Sequence, residues 1–184
     1  MRIIGGRARG LILYTPKGLS VRPTSDRVKE SIFNILSDLE GRSFLDLYAG
    51  SGNMGLEALS RGASKVVFVE KNRTCVGTIR RNLTLMHAEN SSEAIEASVE
   101  QGIRRLLRRK EDFDIIFADP PYEGGYVAKT LKLLRAEHSL LRDSGLFVLQ
   151  HFVREEPEGD LAPFVLERRR KYGETVVSFL KGEG

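Results

Sequence analysis

A buried strand followed by a glycine-rich loop is encoded in the stretch FLDLYAGSGNMG, residues 44–55. Its first residues are mostly apolar, and residues 50–55 match the G-x-G-x-x-G pattern of a loop that opens a helix after a strand. Glycines in such a loop let the backbone approach a ligand closely. Glu70 follows twenty residues after Gly50, directly behind the next apolar run. The pattern predicts a nucleotide-like ligand at the carboxyl end of a parallel sheet.

The rest of the chain supports an α/β fold. From Ser43 onward, short apolar runs alternate with longer amphipathic stretches, which predicts a mostly parallel sheet with helices on both faces. We predict strands at residues 44–48, 66–69, 94–98, 113–118, 146–150, 165–172 and 175–180, the last two forming an antiparallel hairpin. Helices are expected at 27–36, from the glycine loop to about 61, and at 72–86, 101–109 and 127–136. Residues 1–40 are expected to form a small N-terminal extension on a domain spanning residues 41–184.

Composition narrows the class of protein. The chain has 184 residues, of which 41% are hydrophobic and 29% charged, and this is enough to build one sizeable core. Cys75 is the single cysteine, so the chain forms no intrachain disulfide and no multi-cysteine zinc site. We expect no metal, no membrane span and no signal peptide, and a reducing, cytoplasmic location.

Positive charge is concentrated at the N-terminus. Residues 1–30 contain seven basic and two acidic side chains, a net charge of +5, whereas the whole chain carries +4. A basic arm of this kind is typical of proteins that bind a polyanion, although a solvated tail has the same composition. The candidate nucleic-acid-binding residues are Arg7, Arg9, Arg22, Arg27 and Lys29.

Two ligands fit the glycine loop on sequence grounds. The first is NAD, whose pyrophosphate would sit on the helix N-terminus. Asp46 disfavours it, because a carboxylate four residues before Gly50 repels a pyrophosphate and attracts an ammonium or sulfonium group. S-adenosylmethionine carries both of these cations, together with ribose hydroxyls that suit Glu70.

The sharpest feature is Asp119-Pro120-Pro121-Tyr122 at the end of the fourth predicted strand. This loop faces the same crevice as Gly50 and Glu70 if the sheet is parallel. Paired prolines stiffen the backbone and remove two N–H donors. A rigid carboxylate and carbonyl match an exocyclic –NH2 group, and Tyr122 offers a face on which a planar ring can stack.

These residues resemble a class I S-adenosylmethionine-dependent methyltransferase that acts on an exocyclic amine. Residues 46–52 resemble its first motif, Glu70 its second and residues 119–122 its fourth. Residues 2–6, 22–30, 55–63 and the hairpin at 172–173 extend the resemblance to the bacterial guanine-N2 methyltransferase family of 16S small-subunit ribosomal RNA. This implies a Rossmann-like, seven-stranded sheet, with the N-terminal extension helping to cover the cofactor and to bind RNA.

The resemblance also implies roles for individual residues. Asp119, Pro120 and Tyr122 would be catalytic. Cofactor contacts are implied for Asp46, Tyr48, Gly50, Gly52, Glu70, Lys71, Gln101 and Asp119. Gln101, with Glu100 as the neighbouring candidate, stands where the family has an adenine-binding Asp or Asn. The implied partner is ribosomal RNA in an assembled or assembling small subunit, and we expect the chain to be a monomer. The alternatives are a DNA adenine-N6 methyltransferase, a protein glutamine methyltransferase, an NAD-dependent dehydrogenase and a non-catalytic RNA-binding module.

Overall fold

The structure is a computed structural model, and it describes residues 1–16, 25–157 and 159–182. The helices are α1 (Asp26–Leu36), α2 (Asn53–Ser60), α3 (Arg73–Leu85), α4 (Val99–Arg108) and α5 (Tyr126–Ala136). The strands are β1 (Ser43–Leu47), β2 (Lys65–Glu70), β3 (Ser92–Glu96), β4 (Phe113–Ala118), β5 (Leu141–Phe152), β6 (Phe164–Tyr172) and β7 (Thr175–Gly182). Short 3-10 turns lie at Glu89–Ser91, His138–Leu140 and Val153–Glu155.

Across the described ranges, the seven strands form one sheet in the order β3-β2-β1-β4-β5-β7-β6. The strands from β3 to β5 pair in parallel, and β7 pairs antiparallel with both β5 and β6. The chain order reverses between β1 and β4, and a crevice opens beyond the carboxyl ends of strands at such a point. The predicted α/β class, the mostly parallel sheet and the C-terminal hairpin are confirmed.

Two apolar clusters cover the two faces of the sheet. Helices α1, α2 and α3 pack on one face, and α4 and α5 pack on the other. Because helices cover both faces, β1 is buried along its whole length, and its side chains alternate between the clusters, with Phe44 in the first and Leu45 in the second. Within the described ranges, no helix has the length and apolar character needed to cross a membrane.

The strand bounds agree with the sequence to different degrees. β4 has the bounds that the sequence predicts, because an unbroken apolar run ends there at Asp119-Pro120. β3 is displaced, since it begins and ends two residues earlier than predicted. β3 lies at the edge of the sheet, and Ile95 is its one buried residue. The hydrophobicity of its sequence therefore gives little indication of where the strand begins and ends. Ser98 caps α4, which therefore begins at Val99.

The N-terminal residues share a core with the sheet. Arg2 and Ile12 form an antiparallel bridge, which closes a small hairpin, and Ser25 caps α1. Ile3 and Phe33 belong to the same apolar cluster as β1. This packing joins the extension to the sheet domain, and the division after residue 40 stays a prediction.

A buried charge cluster fastens the extension to α2. The Glu57 carboxylate is fully buried, and it accepts a hydrogen bond from the backbone N–H of Ile4 at 2.9 Å. The Lys29 Nζ lies 3.3 Å from one carboxylate oxygen, and the Arg61 Nε lies 2.8 Å from the other. Lys29 also donates to the carbonyl of Arg2 and to the side-chain oxygen of Asn53. Burial lowers the pKa of Lys29, and Glu57 opposes that shift.

We expect Glu57→Gln to destabilise the protein by about 3–5 kcal/mol, because it leaves the buried ammonium of Lys29 without its counter-charge. The free energy of unfolding in urea measures this loss. Glu40→Gln is the control, since it breaks an ion pair with Arg7 in which both side chains are exposed. We expect that control to cost less than about 1 kcal/mol. Equal small losses in both variants would show that the buried cluster does not stabilise the fold.

Candidate functional site

A cavity of about 660 Å³ lies beyond the carboxyl ends of the first four strands. Each strand contributes a loop to its wall, as the topology requires. Its volume is in the usual range for small-molecule sites. The structure brings together there most of the residues that the sequence predicts: Tyr48, Gly50, Glu70, Lys71, Asp119, Pro120 and Tyr122.

The glycine loop is held open by backbone conformation and by one carboxylate. Gly50 has a φ of 54°, and Tyr48 has a φ of 58°, which is uncommon for a residue with a side chain. The Glu70 carboxylate accepts from the N–H of Gly50 at 2.8 Å and from the N–H of Asn72 at 2.7 Å. Glu70 therefore joins the loops after β1 and β2, and its oxygens keep lone pairs for ligand hydroxyls.

Gly52 supports the loop from beneath. It has a φ of 81° and stands at the N-cap of α2. A Cβ at this position would lie 2.9 Å from a side-chain carbon of Ile79. Gly52 does not line the cavity, so the structure assigns it to the shape of the loop and not to the predicted ligand contact.

Asp46 also differs from its predicted role. Its side chain points into the face covered by α2, is only 2% exposed, and accepts a hydrogen bond from the N–H of Gly55 at 2.9 Å. It does not line the cavity. Burial raises its pKa to about 8, the Gly55 hydrogen bond opposes that shift, and the charges of Asp119 and Glu70 add to it. The structure therefore places Asp46 behind the glycine loop, where it anchors the first turn of α2.

Asp119 is the carboxylate that reaches the cavity. It follows β4, beside Gln150 on the neighbouring β5, because Ala118 and Leu149 are paired in register. The Gln150 amide donates a hydrogen bond to this carboxylate, which lowers the pKa, but burial outweighs it and raises the pKa to about 7. Sequence reasoning missed Gln150. A polar residue ending the apolar run of β5, opposite the end of β4, was the available signal.

Aromatic residues form the outer wall. Tyr122 is 37% exposed, and its ring centroid lies 5.9 Å from that of Phe152 with an interplanar angle of 44°. Tyr126 lines the cavity at the start of α5. The Tyr48 hydroxyl lies 2.8 Å from the Thr130 hydroxyl, which ties the glycine loop to the same helix. The exposed face of Tyr122 leaves room for a planar ring beside Asp119.

Gln101, the residue predicted to contact adenine, does not line the cavity. Gln101 is exposed, and its side chain accepts from the backbone N–H of Ser98 in a capping box at the start of α4. Because β3 ends two residues earlier than predicted, the residues that follow it and line the cavity include Ser98, Val99 and Glu100. Glu100, the neighbouring candidate in the sequence, is therefore the better placed of the two.

The predicted nucleic-acid contacts are scattered in the structure. Lys29 is fully buried against Glu57, so it is not available to a polyanion, and its assignment is corrected. Arg7 and Arg9 are exposed, but the N–H of Arg7 bonds to the carbonyl of Ser60, at the end of α2 remote from the cavity. Arg27 is exposed on the first turn of α1, and Arg22 lies outside the described residues.

The lining of the cavity fits S-adenosylmethionine. Glu70 offers carboxylate oxygens for ribose hydroxyls, and Gly50 leaves space for close approach. Val69, Ala97 and Val99 provide an apolar wall for a flat base. The acids Glu70 and Asp119 favour a cationic ligand over a pyrophosphate. The fold and the cavity together define a Rossmann-like, class I methyltransferase that uses S-adenosylmethionine.

Comparison with known proteins places the chain in a family. It belongs to the family described as Conserved hypothetical protein 95, whose sequence model matches residues 1–181. Ribosomal RNA small subunit methyltransferase D of Escherichia coli strain K12 is 32% identical over 188 residues, covering 100% of this chain and 90% of that protein. The family and methyltransferase class predicted from the sequence are confirmed, and the dehydrogenase alternative is set aside.

Solved structures agree with this assignment. The Escherichia coli protein yhhF superposes with a TM-score of 0.87 at 29% identity, covering 100% of this chain and 98% of that one. A hypothetical protein of Thermus thermophilus superposes with a TM-score of 0.82 at 32% identity, covering 100% of this chain and 99% of that one. The similarity extends over the N-terminal extension and the C-terminal hairpin as well as the central sheet.

The raised pKa of Asp46 predicts a pH-dependent loss of stability. The folded protein holds this proton more tightly than the unfolded chain, so the contribution of Asp46 is full below about pH 4 and is lost as the pH rises towards about 8. Asp46→Asn keeps an acceptor for Gly55 and removes the titration. We expect the free energy of unfolding of the wild type to fall relative to this variant, by on the order of 1 kcal/mol per pH unit between pH 5 and 8.

Urea unfolding of both proteins at several pH values measures this difference. Asp143→Asn is the control, because it removes a carboxylate on the exposed part of β5. Its stability should run parallel to that of the wild type. If the Asp46→Asn curve is also parallel, Asp46 is ionised throughout this pH range.

Proposed function

We propose that this protein transfers a methyl group from S-adenosylmethionine to the exocyclic N2 amine of a guanine in small-subunit ribosomal RNA. The observation that carries the proposal is the position of Asp119-Pro120-Pro121-Tyr122, which lines the same cavity as Gly50 and Glu70. An acceptor pair suited to an amine thus adjoins the pocket for the methyl donor. The name of the relative from Escherichia coli, Ribosomal RNA small subunit methyltransferase D, supports ribosomal RNA as the substrate class.

The side chains have separable roles in this reaction. The Asp119 carboxylate and the Pro120 carbonyl accept the two N–H groups of the guanine amine. These hydrogen bonds favour a pyramidal nitrogen, whose lone pair is no longer delocalised into the ring. Tyr122 stacks on the base, which must leave its own stack to reach the cavity. The protein contributes chiefly by positioning the two reactants.

Proton transfer needs no further group. When bound, S-adenosylmethionine supplies a methyl group on a positively charged sulfur, which is already activated. As the proposed acceptor of one N–H group of the amine, the Asp119 carboxylate takes the proton that leaves N2. Its pKa of about 7 lets it accept that proton and pass it to water near neutral pH.

The name of the relative from Escherichia coli refers to the small ribosomal subunit, which supports that particle as the substrate context. We infer that it acts as a monomer in the cytoplasm, on an assembled or assembling small subunit whose shape presents the target.

Transfer of labelled methyl groups tests the reaction. The substrates are unmethylated small subunits, naked ribosomal RNA and DNA, and nucleoside mass spectrometry identifies the product. We expect N2-methylguanosine from subunits at a higher rate than from naked RNA. N6-methyladenine in DNA would overturn the substrate while leaving the cofactor in place. No product with any substrate, despite measurable cofactor binding, would overturn the proposed function.

Asp119→Ala should reduce the rate of methyl transfer by at least about 100-fold, because it removes the acceptor of the amine proton. Calorimetry should show cofactor affinity within a few-fold of the wild type. Glu123→Ala is the matched control, because it removes an exposed carboxylate from the same loop and should change the rate only slightly. An affinity loss as large as the rate loss would assign Asp119 to cofactor binding.

A further inference from the structure

A second group of aromatic and basic side chains lies beside Tyr122, on the C-terminal part of the sheet. Phe152 ends β5 and contacts the Tyr122 ring, and the Arg154 guanidinium carbon lies 6.0 Å from the Phe152 ring centroid. The N–H of Val153 donates to the carbonyl of Glu174 at 2.8 Å, which holds this segment against the turn between β6 and β7. The aromatic wall of the cavity therefore continues towards the hairpin.

The pairing of β5, β7 and β6 places side chains of the edge strand β6 on the same side of the sheet as Phe152. Phe152 is paired with Thr175 on β7, and Thr175 is paired with Tyr172 on β6. Side chains two residues apart share a face of a strand, so Arg170 and Arg168 lie on the same face as Tyr172. The Tyr172 hydroxyl contacts the Ser31 hydroxyl of α1. Arg168 and Arg170 are exposed farther along the strand.

The charges on this face are available to a ligand. In the described part of the chain, Arg154, Arg168 and Arg170 form no ion pair. Their neighbour Arg169 points to the other face of β6 and is paired with Glu156 at 2.7 Å. Among the acidic residues of this region, Glu167 lies 3.7 Å from Lys181. Glu155 and Glu174 remain against Arg154, Arg168, Arg170 and Lys171, so the local balance is positive by two charges. Arg168 and Arg170 lie on the same face of β6 as Tyr172.

We propose that Phe152, Arg154, Arg168 and Arg170, here called the hairpin strip, bind the single-stranded RNA that flanks the target base. This inference rests on the proposed function. The Arg side chains contact phosphates, and Phe152 stacks on a base next to the one held by Tyr122. A single strand fits better than a duplex, because stacking on Phe152 requires an unstacked base. Arg7 and Arg9, at the remote end of α2, are not part of this surface.

The test compares RNA binding of the wild type with an Arg168→Ala/Arg170→Ala double variant. The probe is a labelled single-stranded RNA oligonucleotide, measured by fluorescence anisotropy between 50 and 200 mM salt in the presence of S-adenosylmethionine. We expect the double variant to bind about tenfold more weakly at low salt. The slope of log affinity against log salt should fall by about 1.4, because two phosphate contacts are lost. Phe152→Leu should weaken binding without changing that slope.

Arg105→Ala/Arg108→Ala is the charge-matched control, because both side chains are exposed on α4, which packs on the opposite face of the sheet. It should bind RNA within about twofold of the wild type. Circular dichroism and cofactor affinity establish that each variant is folded. Equal losses in the two double variants would overturn the hairpin strip, as would wild-type affinity in Arg168→Ala/Arg170→Ala.

The two proposals fail in different ways. If the wild type forms N2-methylguanosine and the hairpin-strip variants keep its affinity and rate, only the hairpin strip is wrong. If the wild type binds RNA through the strip but forms no methylated nucleoside, only the proposed reaction is wrong. Absence of oligonucleotide binding by the wild type would overturn the hairpin strip, whereas the reaction is judged by methyl transfer to subunits.

Discussion

The buried carboxylate of Glu57 is the contact on which the N-terminal half of the structure depends. It joins the first strand-like segment at Ile4, helix α1 through Lys29 and the end of α2 through Arg61. Two fully buried opposite charges are stable only together, since either one alone carries a large desolvation cost. Lys29 also bonds to Asn53, the first residue of α2. The extension is thereby coupled to the helix that begins at the glycine loop.

Carboxylates determine the character of the cavity. Asp46, Glu70 and Asp119 lie near the ends of adjacent strands, and each serves a different purpose. Glu70 joins two loops through backbone N–H groups, and Asp46 anchors α2 from behind. Asp119 lines the cavity, its pKa is raised to about 7 by burial, and Gln150 donates a hydrogen bond to its carboxylate. Asp119 is therefore an acidic group beside the pocket with a pKa near neutral pH.

The sequence predicts the two loops of this site whose glycine and proline residues determine the backbone conformation. Prolines after β4 restrict the backbone, whereas glycines after β1 permit the positive φ angles that this loop adopts. Both loops lie where their patterns place them. β3 is an edge strand with little burial, so its bounds cannot be read from hydrophobicity, and the error propagated to Gln101. Gln150 could not be assigned from sequence, because its contact with Asp119 depends on the register of β4 against β5.

The charge of a sequence segment also fails to predict which of its residues are available to a ligand. The basic N-terminal segment is the strongest electrostatic signal in the sequence, yet folding pairs Arg2 with Asp26, Arg7 with Glu40 and Lys29 with Glu57. The net charge of residues 1–30 does not show this pairing, because it depends on how distant parts of the chain fold together. The C-terminal hairpin carries a weaker signal in composition, but its edge strand leaves Arg168 and Arg170 exposed on one face. Attraction of a polyanion depends on such unpaired charge, and pairing is a property of the fold.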